Sequence, residues 1–142
     1  LCDFVSTGDE NVLKYIYPEN IITVFDAKDT IYETADNHKE LGMQCSAIVT
    51  DKERLSEEKL AEINNYIKQR YIDKNVLYEF IPATDAYLIT ASVSAILTIG
   101  GQVAADNGGL DMQKTVIKVG DNWYIGPNYL ENGSLEYYIG DF

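Results

Sequence analysis

From Thr84 to Ile99 apolar and polar side chains alternate over a stretch that is long for a strand. Tyr87, Ile89, Ala91, Val93, Ala95, Leu97 and Ile99 fall on one face, and Thr90, Ser92, Ser94 and Thr98 on the other, with Leu88 and Ile96 as exceptions. A period of two predicts a strand in a half-buried sheet, its apolar face in the core and its other face mostly wet. Gly100-Gly101 and Asn107-Gly108-Gly109 are read as bracketing a mobile loop, after which a strand from about Asp111 to Gly120 returns antiparallel. Gly120-Asp121-Asn122 then turns the chain into Trp123-Tyr124-Ile125, with Trp123 and Tyr124 pointing to opposite faces.

Helical spacing dominates the other half. Leu1, Phe4 and Val5 predict a first short helix broken at Thr7-Gly8-Asp9. Asp9 caps a second, with Val12, Leu13 and Ile16 as its buried stripe, and Pro18 opens a third that runs from Ile21 to Ala35 and ends near Glu40 to Gly42. Met43 to Thr50 alternates as a strand. Ser56-Glu57-Glu58 is a helix start with acids at the positive end of the dipole, followed by an apolar stripe of Leu60, Ile63, Ile67 and Tyr71. A further strand is expected over Val76 to Ile81, with Pro82 at an edge or bend, and the tail 127–142 is either a short strand at Leu135 to Ile139 or loosely held. With no repeat or linker, residues 1–142 are read as one α+β domain, and 46% apolar residues suffice for a single core.

Twenty-three acidic against 11 basic side chains give a formal charge of -12, which repels phosphate backbones and anionic membranes and so argues against a nucleic-acid partner. The acids are scattered and read as a solvated coat. No apolar segment is long enough for a membrane span. The chain opens on Leu1, from which removal of an upstream segment is expected. Leu1-Cys2 is a poor lipidation site because Leu1 is not small. Cys2 and Cys45 pair only in an oxidising compartment, and unpaired thiols are the expectation. Without Cys-x-x-Cys, thioredoxin-like redox chemistry and thiolate zinc sites drop out.

Two pieces carry a family likeness: Phe4-Val5-Ser6-Thr7-Gly8-Asp9-Glu10-Asn11-Val12-Leu13 near the start, and Val116 to Ile125 near the end. Together with the element order, they resemble the nuclear transport factor 2-like (cystatin-like) superfamily, and in particular the extracytoplasmic lipoprotein domains of Gram-positive bacteria. The resemblance implies N-terminal helices packed on a curved antiparallel sheet, a cone whose interior holds a ligand cavity. It also implies an extracytoplasmic setting, lipid-anchored through the removed upstream segment. Fold alone does not fix function, since the superfamily includes isomerases and dehydratases beside members that only bind or dimerise.

The candidate chemistry is sparse. Asp85 shares a strand face with Tyr87, so a core-facing carboxylate of raised pKa would serve as a base, with Tyr15, Tyr17 or Tyr87 donating to an oxyanion, as in the ketosteroid isomerase-like members. The competing reading puts Asp85 at the strand start, facing solvent or capping a turn. His38, the single histidine, lies among Asp36, Asn37, Lys39 and Glu40 and reads as a solvated helix residue. Asp106 to Asp111 lacks the ligand spacing of a calcium loop, and the paired glycines open no phosphate-binding helix. No cofactor or metal is expected. The reading is therefore a non-catalytic domain binding a small ligand or an envelope protein, with Tyr87, Trp123 and Tyr124 as contacts. The alternative is a cofactor-independent isomerase or lyase using Asp85 and a tyrosine. Too few apolar anchors on the Thr90 face predict a monomer or weak dimer. Trp123 is expected to be at least partly buried against the helix layer, beside Ile117 and Ile125.

Overall fold

The computed structural model describes residues 42–75, 77 and 79–136. The predicted helices over 1–41, with Cys2, Asp9, Tyr15, Tyr17 and His38, lie outside that range, as do residues 137–142. In chain order the described elements are β1 (Met43–Arg54), α1 (Glu57–Asp73), β2 (Asp85–Ile99), β3 (Gln102–Val119), β4 (Asn122–Ile125), β5 (Asn128–Tyr129) and β6 (Leu135–Glu136). The first four strands form one antiparallel sheet in the order β1-β2-β3-β4, and β5 pairs with β6. The protein is thus α+β, a helix with an antiparallel sheet.

The helix forms as its sequence predicts. Ser56 caps it, its hydroxyl accepting from the Lys59 amide, Glu57 and Glu58 occupy the first turn, and Arg70 the last. Acids at the positive end and a base at the negative end both favour this polarity. Ile63, Ile67 and Tyr71 recur at helical spacing and are buried. Asp73 ends the element, and Asn75 takes a left-handed φ of 50° just beyond it.

The expected strand over 76–81 is corrected. Residues 77 and 79–81 are irregular, and Leu77 is almost fully exposed. β-Branched and aromatic residues favour a strand only where a ladder partner exists, and this segment instead docks on the helix. Phe80 packs edge-on against Tyr71 with ring centroids 5.7 Å apart, and Asn64 of α1 clamps Ala83 by accepting its amide at 2.7 Å and donating to its carbonyl at 3.0 Å.

The expected loop over 100–109 is also corrected. Gly100 and Gly101 alone turn the chain, both at positive φ, the pattern of the tight hairpin turn whose twist suits flanking strands. β3 then begins at Gln102 and runs straight through Asn107-Gly108-Gly109. Those glycines accommodate irregular register. Val93 pairs with Leu110 and Ala95 with Asn107, so β3 carries one extra residue there, with Gly109 at φ 60° and its amide donating to the Ser94 hydroxyl. At the other end Gly120, also at positive φ, and Asp121 close the β3–β4 hairpin.

Burial reverses the expected assignment of the faces where β2 begins and β3 ends, whereas farther along the sheet Met43, Cys45 and Met112, on the Tyr87 side, are more covered than Gln44, Ser46 and Gln113. The face that bears Tyr87, Ile89 and Ala91, expected to be core, is only half-buried, whereas Ala86, Thr115 and Ile117 on the other face are fully buried. Small residues at Ala86 and Thr115 let backbone approach that face closely. The return segment after β4 does so: the Gly126 amide donates to the Thr115 carbonyl, and Asn128 accepts the Thr115 amide. Tyr129 then ties this segment to α1, donating to the Lys59 carbonyl and the Glu62 carboxylate at 3.1 and 2.8 Å. Burial, reinforced by Glu62, pushes the Tyr129 phenol above its ordinary pKa.

Gly126 is needed for this closure. A Cβ there would lie 2.8 Å from Cγ2 of the wholly buried Ile117, a neighbour with no room to yield. Gly126→Ala is expected to cost about 1 to 3 kcal/mol as an overpacked core. Gly108→Ala, with open space around its Cβ, serves as the control in the same denaturant titration. Equal midpoints for the two variants would show that the Ile117 contact does not constrain the fold.

Candidate functional site

The half-buried face of the sheet carries a groove of about 320 Å³. Each strand of the sheet contributes to its lining: Lys52 from β1, Tyr87 and Ile89 from β2, Val116 from β3 and Trp123 from β4. Register explains the convergence. Lys52 pairs with Ile89, Tyr87 with Val116 and Trp123 with Lys118, so all of these residues project to one side. Trp123 meets Tyr87 edge to face, ring centroids 5.6 Å apart at 67°, a geometry aromatic quadrupoles favour. Ile89 and Val116 supply an apolar floor.

Trp123 is 41% exposed and lies on the face opposite Ile117. The expected neighbourhood of Ile117 is therefore corrected, while Ile125 shares the indole's face as expected and Tyr87 is a ring partner. Tyr124 does not join the groove. It pairs with Ile117 and so lies on the opposite face, half-buried. Of the three expected contacts, the fold brings Tyr87 and Trp123 together and separates Tyr124. Lys52 and Val116 were not anticipated as lining residues; only cross-strand register places them there.

Asp85 lies on the groove's side of the sheet but belongs to a different cleft. That cleft, about 420 Å³, is lined by Arg54, Asp85, Thr84 and the start of α1, including Ser56, Glu57 and Leu60, with no tyrosine among its described lining residues. Asp85 Oδ1 accepts from Arg54 Nε at 2.9 Å and from the Ala86 amide at 3.0 Å. The Arg54 guanidinium holds the carboxyl below the usual carboxylate range, against an opposing push from burial, and Lys118 adds to the lowering. This corrects the expectation of a raised pKa. A carboxylate already shared between a guanidinium and a backbone amide is a weak proton acceptor and suits the strand-start role.

Cys45 is disulfide-bonded, which corrects the expectation of an unpaired thiol there. The chain's other cysteine, Cys2, lies outside the described residues. Among the described residues no group of three or more His, Cys, Asp or Glu side chains is placed to hold a metal ion. Asp106 to Asp111, compared above with a calcium loop, lies within β3. No described helix is long and apolar enough to cross a membrane.

The exposure of Trp123 has a thermodynamic consequence. Trp123→Ala is expected to lower stability by about 1 to 2 kcal/mol, well short of the roughly 3 to 5 kcal/mol that a fully buried aromatic costs. A denaturant titration of the variant measures this, and a loss in the upper range would mean that the indole is part of the core. No protein-family model, curated protein or solved structure matches this chain.

Proposed function

We propose that this chain is a non-catalytic binding domain of the cell envelope, and that the groove between Tyr87 and Trp123 is where it takes up a small ligand. The observation that carries the reading is the chain's single tryptophan standing 41% exposed over an apolar floor on a sheet face. An indole left in water beside a second ring is the kind of surface that recognition uses, and a groove of this volume lies at the lower end of small-molecule sites. The paired Asp85 weakens the isomerase or lyase alternative, since a hydrogen-bonded, ion-paired carboxylate of lowered pKa is poorly suited to take a proton from carbon. Within this reading the sheet and α1 belong to the curved, cone-like architecture of the nuclear transport factor 2-like superfamily.

The disulfide at Cys45 supports the compartment, because disulfides persist in oxidising surroundings and are rare where glutathione keeps thiols reduced. Intact cells that express the protein are expected to label it with a membrane-impermeant amine reagent. Labelling only after lysis would place it inside and remove the envelope from the proposal.

One tryptophan gives one indole N–H cross-peak in a proton–nitrogen correlation spectrum, an assigned reporter inside the groove. Titration with small ring compounds, neutral, anionic and cationic, is expected to move that peak saturably with at least one of them, and Tyr87→Ala is expected to abolish the shift. An indole signal that no compound moves would overturn the groove as a ligand site.

A further inference from the structure

Cross-strand register gathers basic side chains around the groove of this strongly acidic protein. Lys52 and Lys114 both pair with Ile89, and Arg54 pairs with Tyr87. Lys118 pairs with both Asp85 and Trp123. All four lie on the groove's face of the sheet, and the acid that these ladder rows place among them is Asp85, which Arg54 engages directly. The neighbouring acids of β1, Asp51 and Glu53, pair with Thr90 and Leu88 and fall on the other face. A chain of formal charge -12 with 11 basic residues thus sets several of them about the Tyr87–Trp123 pair.

We infer that the groove selects a small amphipathic anion, an aromatic or cyclic apolar body bearing a carboxylate, with its ring against Trp123 and Tyr87 and its charge toward Lys52 and Lys118. This deepens the proposed function and rests on it. Charge complementarity carries the argument. The ladder rows around the groove sum to a local excess of positive charge, which favours an anion at contact distance. A polyanion is disfavoured by the same protein, because beyond a Debye length of roughly 8 to 10 Å its further charges meet the acidic remainder of the surface. A compact monoanion senses chiefly the charges of the groove's own face, where Lys52 and Lys118 stand beside the already paired Asp85. The apolar floor of Ile89 and Val116 requires that the rest of the ligand be apolar, since a wholly polar anion would strip water from these side chains without replacing it.

The test is a matched pair, 3-phenylpropionate against 3-phenylpropionamide, followed by the indole cross-peak of Trp123. The carboxylate is expected to bind at least about threefold more tightly than the amide at low salt, the scale of an exposed charge contact. That preference is expected to fade with added sodium chloride, and Lys52→Gln combined with Lys118→Gln is expected to bring the carboxylate's affinity to the level of the amide's. Equal affinities for acid and amide would overturn the anion preference and leave the groove standing as a ligand site. An indole peak unmoved by both, and by the neutral and cationic rings as well, would overturn the groove itself and this inference with it. A double variant that fails to fold is recognised by the collapse of its spectrum, and the salt dependence of the unmodified chain then decides alone: a preference insensitive to salt overturns the assignment to the lysines.

Discussion

The antiparallel pairing of β2 with β3 is the constraint from which the other features follow. It runs nearly the full length of both strands, from Asp85 opposite Lys118 to Ile99 opposite Gln102. Because side chains alternate along a strand, the uninterrupted register from Asp85 to Val93 settles which residues share a face in the part of the sheet that carries the core and the groove. It joins Ala86 to Ile117 and Leu88 to Thr115 on one side, and Tyr87 to Val116 and Ile89 to Lys114 on the other. β1 and β4 then add to faces already defined. A slip of one residue would bury Lys118 and expose Ile117.

The two faces meet different fates for a steric reason. Where Ala86 and Thr115 keep the surface low, the chain after β4 folds back closely enough for Gly126 to touch Ile117 and for Tyr129 to reach the helix. That closure draws α1, the Phe80 segment and the return strands into one hydrogen-bonded unit, and Asn64 and Asn128 satisfy backbone groups that would otherwise be buried without partners. The opposite face carries the bulkier and longer side chains, Tyr87, Trp123, Lys52 and Lys118, which leave a furrow between them. The groove is in this sense the complement of the core, formed by side chains that the close approach of the backbone could not accommodate.

Electrostatics follows the same division. The net charge describes the molecule seen from a distance, whereas the ladder rows describe what a bound group would touch. Arg54 and Asp85 illustrate the local scale: adjacent across β1 and β2, they form an ion pair that lowers the carboxyl's pKa. Lys52 and Lys118 lie farther along the same face, within reach of a group held at the groove.

Much of the fold is legible in the chain, but unevenly. Ser56, the two glutamates behind it and the spacing of Ile63, Ile67 and Tyr71 specify α1 without reference to anything else, because capping, dipole and amphipathic stripe are local. The alternation in β1 and β2, and the paired glycines at 100–101, likewise place strands and a turn. Local pattern misleads where a partner decides: Leu77 to Ile81 has strand composition, yet its described residues 77 and 79–81 join no ladder, and Asn107-Gly108-Gly109 resembles a loop yet lies within β3, because a bulge absorbs the extra residue. The site is less legible still. The sequence by itself determined that Tyr87 and Ile89 share a face and that Trp123 and Tyr124 do not, since those relations depend only on the period of a strand. Which of the two faces the helix and the return segment cover, and hence that Trp123 stands over Tyr87 with Lys52 nearby while Tyr124 turns to the buried side, was decided by the tertiary structure. Burial depends on which surface a distant part of the chain can approach, and cross-strand neighbours are set by pairing over distances that no local pattern encodes.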